Sequence, residues 1–159
     1  MNNIFEIKKF YTIVFIISLL SLLIALYIEF FLGYSPCKLC IYQRIPYLLA
    51  IFLTFMGISY SKNLIWLYLL LLIFFSSFLL SGYHFGIEQE VFKEFSGCTG
   101  NSLDIIDKSE LLKILNSEVN SCKNVDFQIF GLSLATINFL LSFIIFILVV
   151  KVIKNEKNR

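Results

Sequence analysis

Charge is scarce in this chain. Only 15% of its 159 residues are charged and 58% are hydrophobic, where an ordinary soluble domain carries roughly 25% charged residues. At a mean hydropathy of +0.84 there is too little polar surface to cover a water-soluble fold. A soluble globular enzyme and a disordered chain are both excluded. The net charge of +2 leaves no phosphate-binding footprint, which excludes a nucleic-acid module. Proline occurs twice and glycine seven times, so the chain is neither low-complexity nor collagen-like. The single histidine, His84, excludes a bis-histidine haem and any centre needing two imidazoles. Long apolar runs are abundant, and they define an all-α integral membrane protein.

A helix crosses the roughly 30 Å hydrocarbon core in about 20 residues. Four stretches suffice: residues 10–31, 41–60, 64–83 and 129–150. In lipid every backbone polar group must be satisfied within the segment, so these are helices rather than strands. The first run is longer than a signal-peptide core of about 7–15 residues, and no small-residue cleavage site follows, so it reads as an uncleaved anchor. The whole chain, 1–159, reads as a single four-helix transmembrane bundle without internal repeats. Lys8, Lys9, Lys62, Lys151, Lys154, Lys157 and Arg159 cluster in the terminal segments and the short link after the second span. The positive-inside rule then puts both termini in the cytoplasm and leaves two extracytoplasmic loops, 32–40 and 84–128. The longer loop holds eight acidic residues against four lysines. Tyr34, Tyr42 and Tyr83 suit an outer aromatic belt; Tyr11, Tyr60 and Trp66 suit an inner one. Within the long loop, Leu111, Leu112, Leu115 and Val119 share one helical face, with Asn101 or Ser102 as a cap. Such a helix would lie on the membrane surface or on the bundle top.

The four cysteines, Cys37, Cys40, Cys98 and Cys122, all fall in or beside the outer loops. The outer side of a bacterial inner membrane or an ER membrane is oxidising, which suits disulfide chemistry. Four cysteines allow three pairings, and spacing alone does not choose among them. Cys37-Lys38-Leu39-Cys40 is a CxxC pair at the start of a helix. A bridge closing so short a loop adds little stability, whereas a helix N-terminus favours a thiolate. Arg44 follows Cys40 by four residues, on the same helical face. A guanidinium about 4 Å from a thiolate interacts by roughly 4 kcal/mol at an effective dielectric of 20. This spacing predicts Cys40, not Cys37, as the low-pKa sulfur; the plain alternative for Arg44 is a snorkelling arginine on lipid phosphate. Zinc is the competing use of CxxC, but Cys98 and Cys122 do not form a second knuckle, so no metal is expected. Glu29 reads as a solvated residue where the first span emerges. Asn138 and Ser133 read as interhelical hydrogen-bond partners.

Taken together, these residues resemble the disulfide bond formation protein B (DsbB) family. The segment from Cys37 to Tyr47, CKLCIYQRIPY, resembles its first-loop motif CxLCxYQRxPY. Tyr83-His84-Phe85-Gly86-Ile87-Glu88 is similar to the stretch YHxGVE that ends its third span. Phe130 to Ala135 followed by Asn138 resembles FGLSMAxxN at the start of its fourth. Departures are Asp126 and Phe127 before that run, Leu134 in place of methionine, and Thr136-Ile137 in place of a small–aromatic pair.

The resemblance implies a bacterial inner-membrane protein-dithiol:quinone oxidoreductase with its redox loops facing the periplasm. It would reoxidise a soluble thioredoxin-fold dithiol oxidase, DsbA-like, and pass two electrons to a membrane quinone, ubiquinone or menaquinone. The implied catalytic residues are Cys37, Cys40, Cys98 and Cys122, paired Cys37–Cys40 and Cys98–Cys122, with Cys37–Cys122 as an inter-loop intermediate. Arg44 and His84 would bind the quinone. The competing classes are a proton-coupled transporter using Glu29, an assembly protein with two static disulfides, and a vitamin K epoxide reductase-like enzyme.

Overall fold

The computed structural model describes residues 2–61, 63–93, 122, 128–129 and 131–158. Four long helices dominate it: α1 (Asn2–Phe30), α2 (Lys38–Ser59), α3 (Ile65–Glu88) and, after a short hairpin, α4 (Leu134–Lys157). Each contains a stretch long and apolar enough to cross a membrane. At 1.5 Å per residue, 22 to 25 residues reach roughly 33–37 Å, enough for the hydrocarbon core with some tilt. The hairpin joins β1 (Gln128–Ile129) to β2 (Leu132–Ser133), antiparallel, pairing Gln128 with Ser133 and Ile129 with Leu132.

The bundle is inside out relative to a soluble one. Leu20, Leu23, Phe52, Phe55, Leu72, Leu79 and Ile144 are exposed, on the surface that lipid covers. The centre mixes apolar and small polar side chains. Tyr11 and Val14 from α1 meet Tyr47, Ala50 and Leu53 from α2, Leu67, Leu70 and Phe74 from α3, and Ile145 and Val149 from α4. Ser77 on α3 and Ser142 on α4 share a hydrogen bond of 2.9 Å between their hydroxyls. Thr54 and Ser81 donate to carbonyls of their own helices, at Ala50 and Ser77. Lipid offers no apolar driving force between helices, so interhelical bonds such as Ser77–Ser142 and close backbone approach hold them together.

The closely packed helix pairs are α1–α2, α2–α3 and α3–α4. A cavity of about 280 Å³ is lined by α1 and α4 as well as by α2 and α3. Its wall contains Ile28 near the end of α1, Cys37 and Cys40 at the start of α2, His84 and Glu88 at the end of α3, and Leu134 and Ala135 at the start of α4. The helices therefore run up, down, up and down, with these four ends together.

Helix ends differ from the sequence expectation: α1 starts at Asn2 rather than 10 and α4 runs on to Lys157 rather than 150, and three further ends each have a local cause. The second helix begins at Lys38 because Cys37 caps it, its sulfur accepting from the Cys40 N–H at 3.4 Å. The third continues past Tyr83 to Glu88, which brings His84 and Glu88 into the helix. The fourth begins at Leu134, not near 129. Gly131 at φ +79° turns the hairpin out of helical geometry, and the Ser133 hydroxyl caps the helix by accepting from the Thr136 N–H at 3.0 Å. The expected surface helix over 101–119 lies outside the described residues.

One close approach sets the α1–α2 distance. A Cβ on Gly57 would lie 2.6 Å from the ring of Tyr11, which is itself buried. In a helix, alanine gains up to about 1 kcal/mol over glycine, but overpacking a fixed ring costs about 1–3 kcal/mol. Gly57→Ala is therefore expected to lower the melting temperature in detergent, and Tyr11→Leu in the same chain to recover part of the loss. A Gly57→Ala protein as stable as wild type would contradict this packing.

Candidate functional site

The site is built where the four helix ends converge. Cys37, at the cap of α2, is buried, and its thiol donates to the Cys40 sulfur at 3.2 Å. The two sulfurs are side by side as thiols, close enough for the pair to be joined by a bond when oxidised. The hydrogen bond to Cys40 and burial together push the Cys37 thiol up to about 12, against the opposing influence of His84. A cysteine ordinarily titrates near 8.5, so in the reduced pair Cys37 is the sulfur that keeps its proton.

His84 comes from the last turns of α3 and is 2% exposed. Its Nε2 lies 3.6 Å from the Cys37 sulfur and its Nδ1 lies 2.8 Å from the Gln43 side-chain nitrogen. Gln43 in turn accepts from the Asn138 amide at 2.7 Å. The Asn138 oxygen accepts from the Tyr47 hydroxyl and from Ser142. Glu88, one helical turn beyond His84, has a carboxylate oxygen 3.9 Å from Nε2 and accepts from the Ser133 hydroxyl. Asn138 and Ser133 are thus interhelical partners, as their positions predict.

Cys122 reaches the same point from the long loop. It is buried among Cys37, Leu39 and Ile87. The Cys37 sulfur, the Cys122 sulfur and a ring nitrogen of His84 all lie within 4.8 Å of one another. By donor type alone these three groups could hold a soft divalent ion. Cys98, and with it the expected Cys98–Cys122 pairing, lies outside the described residues.

Arg44 also lines the cavity, but its charge has a partner the sequence did not suggest. It forms an ion pair and hydrogen bond with Glu29 from α1, with side-chain exposures of 20% and 27%. Fifteen residues separate the two in sequence; the packing of α1 on α2 brings them together. Glu29 is therefore not a solvated end-of-span carboxylate. The discrimination between Cys37 and Cys40 comes from their own hydrogen bond, with Arg44 committed to Glu29.

The remaining cavity wall is mostly apolar, with Leu22, Ala25 and Ile28 on one side and Leu134, Ala135, Ile137 and Leu141 on the other. An apolar slot ending in a thiol pair, an imidazole and a paired guanidinium suits an apolar ligand with a few polar atoms better than a hydrophilic one. Two of these residues carry more of the site than the sequence indicated. Gln43 and Tyr47 follow Cys40 at helical spacings of three and seven residues, and that periodicity is the signal that marks them.

A bundle of membrane helices with a buried thiol and imidazole cluster at one end defines a membrane thiol-redox protein. The family model described as disulfide bond formation protein DsbB matches residues 8–152, and the chain belongs to that family. It is similar to an uncharacterized protein, RP370, of Rickettsia prowazekii (strain Madrid E), with 29% identity over 132 residues. That match covers 79% of this chain and 76% of the relative.

The Cys37 environment has a direct consequence for reactivity. In the reduced protein, site-resolved alkylation of Cys37 should stay slow through pH 8–9. Cys40→Ala removes the hydrogen bond that holds the Cys37 proton, so its titration should move down and its labelling at fixed pH should accelerate. Equal rates in the two proteins would show that the sulfur–sulfur contact does not control Cys37.

Proposed function

We propose that the chain oxidises a thioredoxin-fold dithiol partner on the periplasmic side of a bacterial inner membrane and delivers two electrons to a membrane quinone. In this arrangement both termini are cytoplasmic and the Cys37 end of the bundle faces out. The observation that carries the reading is the position of one sulfur. Cys37 is 3.2 Å from Cys40, beside the cavity, and within 4.8 Å of Cys122, from the other loop. It can exchange with either without large movement.

The chemistry balances as two-electron exchanges. A partner thiolate attacks Cys98 of a Cys98–Cys122 disulfide, forming a mixed disulfide and releasing Cys122 as a thiolate. Cys122 attacks Cys37 of the Cys37–Cys40 disulfide, forming Cys37–Cys122 and releasing Cys40. The partner's second thiol resolves the mixed disulfide, leaves oxidised, and frees Cys98. Cys98 then attacks Cys122, restoring Cys98–Cys122 and releasing Cys37, so the net change is a reduced Cys37/Cys40 pair. A bound quinone supplies the acceptor for two electrons and two protons as the Cys37–Cys40 bond is re-formed. The apolar wall would hold its ring, with Arg44 and His84 as the polar contacts.

Energetics explain why a terminal acceptor is required. A thioredoxin-like CxxC lies near −270 mV and a strongly oxidising soluble partner near −120 mV. At about 1.4 kcal/mol per 30 mV, transfer from that partner to such a pair is uphill by about 7 kcal/mol. The transporter alternative needs a membrane-embedded acid deep in the bundle, whereas Glu29 is the last residue but one of α1.

The test is to follow quinone absorbance after mixing the purified protein with a quinone and a reduced dithiol partner. Wild type should consume quinone. Cys40→Ser and Cys98→Ser should each lower the rate by at least about a hundredfold, as expected when a covalent step is removed. Quinone loss unaffected by either substitution, or no loss in wild type, would overturn the proposal.

A further inference from the structure

The buried polar chain behind His84 has a direction. Asn138 accepts from the Tyr47 hydroxyl and from Ser142 at its oxygen, and its amide nitrogen faces Gln43 and donates to the Gln43 oxygen at 2.7 Å. That fixes the Gln43 amide the other way round. Its nitrogen faces His84 Nδ1 at 2.8 Å, and an amide nitrogen can only donate. Nδ1 must then be the acceptor, and a neutral imidazole carries its proton on Nε2. Nε2 is the nitrogen that lies 3.6 Å from the Cys37 sulfur and 3.9 Å from Glu88. Four helix-borne groups are thus spent on orienting one ring proton, inside a membrane bundle where unsatisfied polar groups are costly.

We propose that Gln43 and Asn138 are positioning residues that lock His84 as the Nε2–H tautomer, so that the imidazole offers a fixed hydrogen-bond donor to the sulfur of Cys37. A donor there stabilises negative charge on Cys37 at the one step where that sulfur must leave, when Cys98 takes Cys122 from it. It also separates roles within the cluster. Cys37 has a proton donor at its back, whereas Cys40 has the Cys37 thiol. The same lock works against a metal on these residues, because a ligating imidazole needs a bare nitrogen toward the ion and an N–H toward its outer partner. Here the polarity is the reverse.

This consequence for Cys37 rests on the thiol-relay reading, but the tautomer can be read on the resting protein with no quinone or partner present. The measurement is ¹⁵N NMR of His84, the only histidine in the chain, in detergent at a pH where the ring is neutral. Wild type should show a protonated Nε2 and an unprotonated Nδ1. Gln43→Glu replaces the donor beside Nδ1 with an acceptor and should move the proton to Nδ1. Asn138→Asp should do the same from one residue further away. Its carboxylate can only accept, so the Gln43 amide turns over and presents its oxygen to the ring.

The second readout is alkylation of Cys37 in the reduced proteins, resolved by mass spectrometry. The groups facing this sulfur are Cys40 from α2, His84 from α3 with Glu88 behind it, and Cys122 from the loop. Replacing the Nε2–H donor by a bare nitrogen, which can instead take the thiol proton, should shift the Cys37 labelling rate about tenfold at fixed pH in both variants. Both substitutions are nearly isosteric, and unchanged helix content would exclude unfolding as the cause. An Nδ1–H tautomer in wild type would overturn the proposal by itself, whatever the variants do. So would an unchanged tautomer in both variants. Loss of quinone reduction with the predicted tautomers intact would instead count against the redox assignment alone.

Discussion

The sulfur of Cys37 is the point on which the site depends. It caps α2, donates to Cys40, faces His84 from α3, and lies beside Cys122 from the long loop. Three separate parts of the chain, the start of α2, the end of α3 and the long loop, therefore meet at one atom. A CxxC pair at a helix start ordinarily has only its helix terminus and neighbours to set its chemistry. Here burial and a directed hydrogen bond hold the Cys37 proton well above its usual range. An asymmetric pair follows, in which the two sulfurs are not interchangeable.

The membrane makes that arrangement expensive to leave incomplete. In an apolar bundle each buried amide, hydroxyl and ring nitrogen needs a partner. The chain from Ser142 and Tyr47 through Asn138 and Gln43 to His84 meets that need across α2, α3 and α4. The Arg44–Glu29 pair does the same between α1 and α2. The polar groups of this chain and this ion pair gather toward one end of the bundle. They line the end of a cavity whose other walls are aliphatic, and they fix the side chains nearest the reactive sulfurs.

Much of this was legible in the residues. Four apolar runs located four helices, because hydrocarbon thickness and helical rise leave little freedom in length. The CxxC at a helix start located the reactive pair, and the family-like stretch from Tyr83 to Glu88 brought His84 into view, although a span boundary at residue 83 left His84 and Glu88 in the outer loop. What could not be read was tertiary. Nothing local links Glu29 to Arg44, since the link depends on how α1 lies on α2. Cys122 shares no periodicity with Cys37, and only the fold brings them within 4.8 Å. The start of α4 was misplaced because apolar composition does not register a φ of +79° at Gly131, nor a serine cap two residues later. Gln43 was hidden in plain view: its spacing from Cys40 was visible, but its role appears only once Asn138 is set beside it.

The central claim is that Cys37 joins two cysteine pairs through Cys122. The most direct measurement uses a Cys40→Ser, Cys98→Ser double variant, which leaves only Cys37 and Cys122 of the four cysteines. After mild oxidation in detergent, peptide mapping under non-reducing conditions should find these two residues bonded within one molecule and in good yield. Two thiols that stay reduced, or that cross-link only between molecules, would contradict the account.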